Sequence, residues 1–395
     1  MGIGDPSPLI SACAKGDLSA VQRLLDGDST TEDGMRVAAE GVGPSESEIT
    51  PLLFACLGGH DAIVECLLRS GANPNTSAMN GGTALQIACT VQTEAIVDKL
   101  LHAGADVEDL PIAGGRMALR IACRKGNQRI VAKLLGDEDI INQVETGRSS
   151  ALRAACDLQG KDAIVVRLLQ AGISTNGVAG IQEELTALQA ACKNGKHLVV
   201  ELLIAAGANV NANESAALQV ACENGHDSIV ERLLAAGVNA NESALRPACR
   251  NGHNSIVERL IAAGADVDAK EPFLGMTALY AACESGHDSI VERLIAAGVD
   301  VDAKETFSGM TALHAACKNG HDSIVERLLA AGVNVKSGAL HAARGNGHDS
   351  IVERLLAAGV DVNTPTMNGK TTLEYARQHK HDTIAQQLLA AGANE

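Results

Sequence analysis

One eight-residue segment recurs along the chain and constrains its fold more than any other feature. GHDSIVER begins at Gly225, Gly286, Gly320 and Gly347, and the variant GHNSIVER begins at Gly252. Each copy is followed by an apolar pair and by Ala-Ala-Gly. Such a period indicates a repeat architecture, in which each unit buries its apolar face only against its neighbours.

The block before each glycine sets the register of the repeat. In most units a cysteine marks the same position of this block. These marker cysteines are Cys13, Cys56, Cys89, Cys123, Cys156, Cys192, Cys222, Cys249, Cys283 and Cys317. Arg344 and Arg377 hold the marker position in two further units. Successive markers lie about 33 residues apart, which predicts twelve units.

Each unit is predicted to contain two short helices. Thr311 can cap the first helix of its unit with its hydroxyl, and Gly320 can end that helix in a left-handed conformation. Asp322 or Ser323 can cap the second helix, whose apolar residues then recur at helical spacing. The stretch before the next unit, such as residues 299–310, alternates in polarity and contains glycine, which predicts a short hairpin or turn.

These units resemble ankyrin repeats. The resemblance rests on Thr50-Pro51-Leu52, on Thr311-Ala312-Leu313-His314, on the recurring Gly-His pair and on loops such as Val360-Asp361-Val362-Asn363. It covers nearly the whole chain. It implies an all-α, ankyrin-type solenoid of stacked helix-turn-helix repeats, with short β-hairpin or turn fingers that project from the helices.

We predict that this solenoid occupies residues 1–395 as a single domain. Repeat 1, at residues 6–28, resembles an N-terminal cap, and repeats 2–11 span residues 50–363. Repeat 12, at residues 368–395, is more polar on its outer side, as a C-terminal cap requires. An irregular insertion at residues 26–49 separates the first two repeats.

Composition and motifs exclude several functional classes. The net charge of −16 and the aromatic content of 1% disfavour nucleic acid, which needs cations for its phosphates and rings for its bases. No apolar run approaches the roughly 18 residues of a membrane helix, so we expect no membrane insertion. Nothing resembles a nucleophile elbow, a phosphate-binding loop or a dinucleotide fingerprint. We therefore expect no enzyme activity, no catalytic residues and no cofactor.

The cysteines and histidines recur once per unit, which favours structural roles. The marker cysteines take the place of a small buried residue, and neighbouring helices pack about 8–10 Å apart, too far for a disulfide. With no CxxC or CxxxC pair we predict no metal site, and reduced thiols place the protein in the cytoplasm, with the nucleus as the alternative.

The resemblance implies that the histidines of the Gly-His turns hydrogen-bond to backbone groups of the neighbouring repeat. They are His60, His226, His253, His287, His321, His348 and His381.

A glutamate–arginine pair also recurs in the second helices. We interpret these pairs as a solvated convex face with weak ion pairs, and a charged docking face is the alternative. The pairs are Glu231-Arg232, Glu258-Arg259, Glu292-Arg293, Glu326-Arg327 and Glu353-Arg354.

The residues that follow the marker cysteine vary in charge while the framework does not. In ankyrin-like proteins, partners meet the finger tips and the exposed ends of the first helices, which implies a binding role for these positions. A groove of mixed charge would select a particular protein surface, and surface drift is the alternative. The candidates are Arg124, Lys125, Lys193, Asn194, Glu223, Asn224, Arg250, Asn251, Glu284, Ser285, Lys318 and Asn319.

Two long fingers, KEPFLGMT at residues 270–277 and KETFSGMT at residues 304–311, lie between two shortened ones. Apolar tips beside a gap indicate an anchor pair for a partner. The alternative is that the two phenylalanines fold onto each other or onto a neighbouring leucine. The predicted anchors are Phe273, Leu274, Met276, Phe307 and Met310.

Pro247 falls inside the first helix of the eighth unit, where it would remove a backbone donor and strain the preceding turn. Because the finger before this unit is also short, we predict the weakest joint of the array at residues 240–256.

The sequence thus predicts a monomeric, non-enzymatic scaffold or adaptor that binds protein partners through its groove and fingers. The alternative is a sensor or regulatory region of a larger receptor-like or effector protein. The identity of the partner stays open, because this type of fold serves many unrelated partners.

Overall fold

The computed structural model describes residues 8–27, 50–78, 81–106, 118–136, 145–176, 185–240, 244–335, 337–345, 347–363, 365 and 370–394. Within these ranges the chain forms 24 helices in twelve consecutive pairs, which confirms the all-α repeat architecture. The chain divides into two compact units, Met1–Asn209 and Val210–Glu395, which we call the N-terminal and C-terminal halves. Each half contains six helix pairs.

The helices are short and regular in length. The first helices of the twelve repeats are Pro8–Lys15, Pro51–Gly58, Ala84–Val91, Ala118–Lys125, Glu145–Cys156, Ala187–Lys193, Ala212–Glu223, Leu245–Asn251, Ala278–Ser285, Ala312–Asn319, Ser337–Gly345 and Thr372–Gln378. The second helices are Leu18–Gly27, Asp61–Arg69, Glu94–His102, Gln128–Leu135, Asp162–Gln170, His197–Ala205, Asp227–Ala235, Asn254–Ala262, Asp288–Ala296, Asp322–Ala330, Asp349–Ala357 and Asp382–Ala390. None of the described helices is long and apolar enough for a membrane crossing.

Threonine caps begin several first helices, as predicted. The Tyr280 N–H donates to the Thr277 hydroxyl at 3.2 Å, which satisfies one of the free donors at the start of the helix. In repeat ten, the Thr311 N–H donates to the imidazole Nδ1 of His314 at 3.2 Å. Gly320 ends that helix with a φ of 76°, which confirms the predicted left-handed cap.

The second helices begin differently from the prediction. The helix of repeat ten starts at Asp322, so His321 takes the N-cap position and no side chain caps the helix. Asp322 and Ser323 are the first two helical residues and do not act as caps. The Asp322 carboxylate still lies in the first turn, where its negative charge interacts favourably with the positive end of the helix dipole.

The core is a stack of like helices. Within each half, every first helix packs on the first helix of the next repeat, and second helices pack on second helices. In repeat ten, Leu313, Cys317, Ile324, Val325 and Leu328 are 1% exposed or less. Each pair therefore buries its apolar residues against its neighbours, which is the reason that one repeat alone would not be stable.

A histidine of one repeat contacts a glycine of the preceding repeat and hydrogen-bonds to its backbone. The Nε2–H of His321 donates to the Glu284 carbonyl at 3.3 Å, and the imidazole lies over Gly286. A Cβ on Gly286 would lie 2.6 Å from the ring, so the site requires glycine for space as well as for its φ of 79°. The predicted bond between repeats recurs from His253 to Glu223, from His287 to Arg250 and from His348 to Lys318.

Two predictions about irregular segments need correction. Pro247 is the third residue of its helix, Leu245–Asn251, and so lies in the first turn. The first four N–H groups of a helix have no partner within it, so proline removes no bond there, and the predicted strain at this joint is wrong.

The insertion predicted over residues 26–49 begins too early, because Asp26 and Gly27 continue the second helix beside the buried Leu25. Residues 28–49 lie outside the described residues.

Candidate functional site

The loops before repeats nine and ten form two similar turns, which we call the finger pair (residues 266–276 and 300–310). In the first finger, the Glu271 N–H donates to the Met276 carbonyl at 3.1 Å. The Glu271 carboxylate accepts the N–H groups of Phe273 at 3.2 Å and Leu274 at 2.6 Å. Each finger is thus held by a carboxylate inside its own turn, which fixes the backbone beneath the phenylalanine.

The second finger repeats this arrangement. The Glu305 N–H donates to the Met310 carbonyl at 2.9 Å, and a single β-bridge joins Lys304 to Thr311. The Glu305 carboxylate accepts the N–H of Phe307 at 2.9 Å and also binds Ser308. These bonds, that of the Ser308 hydroxyl above all, lower the pKa of Glu305 to about 2. Both fingers are therefore tight turns, and an isolated bridge closes the second one.

The two fingers contact each other directly. The Thr306 N–H donates to the Leu274 carbonyl at 2.9 Å, and the Lys270 ammonium lies 3.5 Å from the Lys304 carbonyl. Gly275, with a φ of 65°, faces Thr306 so closely that a Cβ would lie 2.2 Å from the threonine hydroxyl. The finger pair is consequently one surface and not two independent loops.

The predicted anchor side chains protrude from this surface. Phe273 is 80% exposed and Phe307 is 76% exposed, so neither ring is folded down against the protein. Leu274 and Met310 are exposed to smaller extents, and Met276 is partly buried. The structure thus brings four of the five predicted anchors together as an exposed apolar patch.

A tyrosine that is not among the predicted site residues lies beneath the fingers. Tyr280 is the third residue of the first helix of repeat nine and is 9% exposed. Its pKa is raised, first by burial and then by the negative charges of Glu284 and Glu305. Glu284 lies at the end of the first helix and Glu305 lies in a finger, so Tyr280 is close to both of the surfaces predicted from the sequence. The sequence feature that could have indicated Tyr280 is an aromatic residue at the helix position that His314 occupies in the next repeat.

The predicted positions at the ends of the first helices are on the surface. Eleven of these twelve residues are exposed, and Asn194 is partly buried. Several of them also hold the framework: the Glu223 carbonyl accepts the Asn251 side-chain amide at 3.0 Å and the His253 imidazole. The amides of Asn194, Asn224 and Asn319 likewise donate to backbone carbonyls, so the charged side chains of this set are the ones that a partner can contact most freely.

The marker cysteines are buried, in agreement with their predicted structural role. Burial raises the pKa of the thiols of Cys13, Cys56, Cys156, Cys192 and Cys317 to about 12. A thiol with such a pKa carries almost no reactive thiolate at neutral pH. Cys66, which is outside the marker register, is partly buried.

The glutamates and arginines of the second helices pair between repeats. Arg327 reaches Glu292 of the preceding repeat at 2.9 Å, and Arg354 reaches Glu326 at 3.0 Å. The same ladder joins Arg259 to Glu231 at 3.1 Å and Arg293 to Glu258. Residues adjacent in a helix do not face each other, which is the reason that the partner lies one repeat away. We call this surface the second-helix face.

The fold is that of known proteins with the same repeat. A family model described as ankyrin repeats matches residues 9–111, 152–244, 245–338 and 334–395. The chain belongs to the ankyrin repeat family. Ankyrin repeats are protein–protein interaction modules, and the fold is generally non-enzymatic.

Relatives of this ankyrin repeat protein are longer than the matched region. The E3 ubiquitin-protein ligase XBAT32 of Arabidopsis thaliana is 33% identical over 202 residues, which cover 51% of this chain and 36% of the ligase. The ankyrin repeat and KH domain-containing protein mask-1 of Caenorhabditis elegans is 32% identical over 219 residues, 53% of this chain and 7% of that protein. The crystal structure of the human ASB11 ankyrin repeat domain covers 53% of this chain and 98% of that domain, with 26% identity and a TM-score of 0.46.

Proposed function

We propose that this protein is a non-enzymatic scaffold or adaptor that binds a protein partner through the finger pair and the exposed ends of the first helices. One observation carries the proposal. Among the described residues of the C-terminal half, five large apolar side chains are exposed, and four of them lie on the finger pair. An apolar cluster on a rigid framework is typical of a binding hot spot, because burying it against a partner is favourable.

The framework supports this role by holding the fingers in place. The carboxylates of Glu271 and Glu305 fix the two turns, and the Thr306–Leu274 bond joins them. A surface that is already ordered loses little conformational entropy when it binds. The fingers would therefore supply affinity, and the charged helix ends nearby would supply specificity.

The experiment is affinity purification from a native lysate. The wild type is compared with a variant that carries Phe273→Ser, Phe307→Ser and Met310→Ser. Met276 is kept, because it is partly buried and its loss could disturb the turn. The matched control is Leu198→Ser with Leu202→Ser, which removes exposed apolar side chains from the second helix of repeat six.

We expect the control to retain the partner and the finger variant to lose it while its thermal unfolding is unchanged. A partner retained by both variants would move the binding surface away from the fingers. The remaining elements of the proposal are that the protein is monomeric and that it works in the reducing cytoplasm, where buried thiols persist.

A second candidate is a sensor or regulatory region within a larger protein. The observation in its favour is that the matched segments make up 36% of XBAT32 and 7% of mask-1. The length of the endogenous protein, measured by immunoblotting against the finger pair, distinguishes the two candidates. A band of about the mass of 395 residues favours the adaptor, and a much larger band favours the regulatory region.

A further inference from the structure

The finger pair carries an unbalanced negative charge. It contains six carboxylates and two ammonium groups, which leaves four negative charges. In the described part of the chain, none of these carboxylates forms an ion pair. The carboxylates are those of Asp266, Asp268, Glu271, Asp300, Asp302 and Glu305.

These carboxylates are held in place by backbone bonds. Asp268 accepts the Asp300 N–H at 2.8 Å, and Asp302 accepts the Asn334 N–H at 2.9 Å. An N–H donor orients a carboxylate without neutralising it, so the charge remains. The aspartates therefore form a fixed anionic ridge at the base of the fingers, below the exposed rings.

The same protein neutralises carboxylates elsewhere. On the second-helix face, Glu231, Glu292 and Glu326 each meet an arginine of the next repeat within 3.1 Å. The finger carboxylates have no such arginine among the described residues, and they lie beside the exposed Phe273 and Phe307, so the unpaired charge and the apolar patch belong to one surface.

We propose that the finger pair binds a cationic segment of its protein partner, in which lysine or arginine side chains stand next to large apolar side chains. This rests on the proposed function, that the partner is a protein. The apolar side chains would pack against Phe273, Phe307 and Met310. The cations would meet the aspartate ridge and the exposed Glu284, which lies near Tyr280.

The negative charge of the finger pair favours a cationic protein segment over the other possible ligands. Attraction between opposite charges steers a cationic segment to the ridge and raises its association rate, whereas an acidic segment is repelled. A second copy of this chain is disfavoured, because each copy carries a net charge of −16. The phosphates of an anionic lipid or nucleic acid are repelled for the same reason.

The test uses a phage-displayed library of random twelve-residue peptides, selected on the full-length protein at low salt. We expect enrichment of peptides with lysine or arginine beside aromatic or aliphatic residues. One such peptide is synthesised and its affinity is measured by fluorescence anisotropy. Its binding should weaken as salt is raised to 1 M, because salt screens exposed charges.

Two sets of variants separate charge from apolar contact. The ridge variant carries Asp268→Asn, Asp302→Asn and Glu284→Gln, which keep hydrogen-bond acceptors but remove three charges. Its matched control, Glu258→Gln with Glu292→Gln and Glu326→Gln, removes three charges from the second-helix face. We expect the ridge variant to bind the peptide at least about tenfold more weakly at low salt, and the control to bind within about twofold of wild type.

The possible negative results separate the cationic partner from the finger site itself. Selection of acidic or uncharged peptides that lose binding in the Phe273→Ser, Phe307→Ser, Met310→Ser variant would overturn the cationic partner and leave the finger site standing. Equal weakening by the ridge variant and its control would show only a long-range effect of net charge, and would also overturn this proposal. Peptides that bind the finger variant as well as wild type would overturn the finger site itself.

Discussion

Along the second-helix face each arginine of repeats eight to eleven meets a glutamate of the preceding repeat. The carboxylates of the finger pair, in contrast, form no ion pair with any residue that the structure describes. Both surfaces are solvent-exposed and both contain acidic residues at regular spacing. The difference is that one surface satisfies its own charges between repeats. The other combines unpaired charge with exposed phenylalanines, so a partner can both neutralise charge and bury apolar surface there.

The comparison separates stability from binding. Changes in the repeat framework should alter the free energy of unfolding and leave partner binding intact in the folded state. Changes at the finger tips should do the reverse, since Phe273 is 80% exposed and contributes little buried area.

Gly286→Ala should lower the free energy of unfolding of the C-terminal half by about 2 kcal/mol, because alanine is strained at positive φ and its Cβ would also collide with the His321 ring. Urea unfolding measures the loss. Gly298→Ala is the matched control, since its φ is 84° but nothing lies within 4 Å of the added Cβ. Equal losses in the two variants would show that the collision with the His321 ring adds nothing to the backbone strain, which would contradict the prediction.

Asp268→Asn should raise the free energy of unfolding by about 1 kcal/mol through one added hydrogen bond. In the equivalent loop, Asn211 accepts the Asn239 N–H at 2.7 Å and donates to the Gly237 carbonyl at 3.5 Å. Aspartate can make only the first of these bonds, here to the Asp300 N–H. Asp268→Ala, which loses that bond as well, should be less stable than wild type. A thermal midpoint for Asp268→Asn at or below that of wild type would contradict the prediction.

The helix pairs could be predicted from the sequence because their signals are local. Helical spacing of apolar residues, threonine at the start and glycine at the end fixed both helices of repeat ten between Thr311 and Gly332. The marker cysteines were also predictable, since a small apolar residue at one position of every repeat must face the stack. Exposure of Phe273 and Phe307 was expected from their place at the tips of long fingers.

The features that the sequence left undetermined depend on how one repeat is placed against the next. To predict the pairing of Arg327 with Glu292, one must know the register between neighbouring second helices, and the repeat period alone does not determine that register. The second helix of repeat ten, predicted to start after Asp322, begins at Asp322 itself. This error and the misjudged Pro247 both depend on where a helix begins to within one or two residues. The approach of Gly275 to Thr306 depends on the contact between two fingers, which neither finger encodes alone.

Arg327→Gln and Glu292→Gln should show a coupling energy between about 0.2 and 1 kcal/mol in a double-mutant cycle, because exposed ion pairs are weak. Both side chains are more than a third exposed, with 41% and 63% of their surface accessible. The coupling should disappear in 1 M salt. A coupling above about 2 kcal/mol that persists in salt would mean that the ladder is a major source of stability.

The smallest effect is a local pH dependence of the second finger. The pKa of Glu305 is lowered to about 2 in the folded protein, so its bonds to the turn are fully present above its unfolded pKa and are lost as the pH falls through 2. The amide resonance of Ser308 should therefore titrate with a midpoint near 2. In Glu305→Gln this titration should be absent. A midpoint near 4.5, the ordinary value, would show that the carboxylate does not hold the turn.

We propose that the finger pair, and not the second-helix face, contacts the partner. The most direct measurement is site-specific photocrosslinking in native lysate, with benzoylphenylalanine placed at position 273 and, in a separate sample, at position 198. Leu198 is 54% exposed on the second helix of repeat six, so the two probes are both accessible. We predict a discrete crosslinked protein species from position 273 and none from position 198. A discrete species from position 198 alone would contradict the assignment of the binding surface.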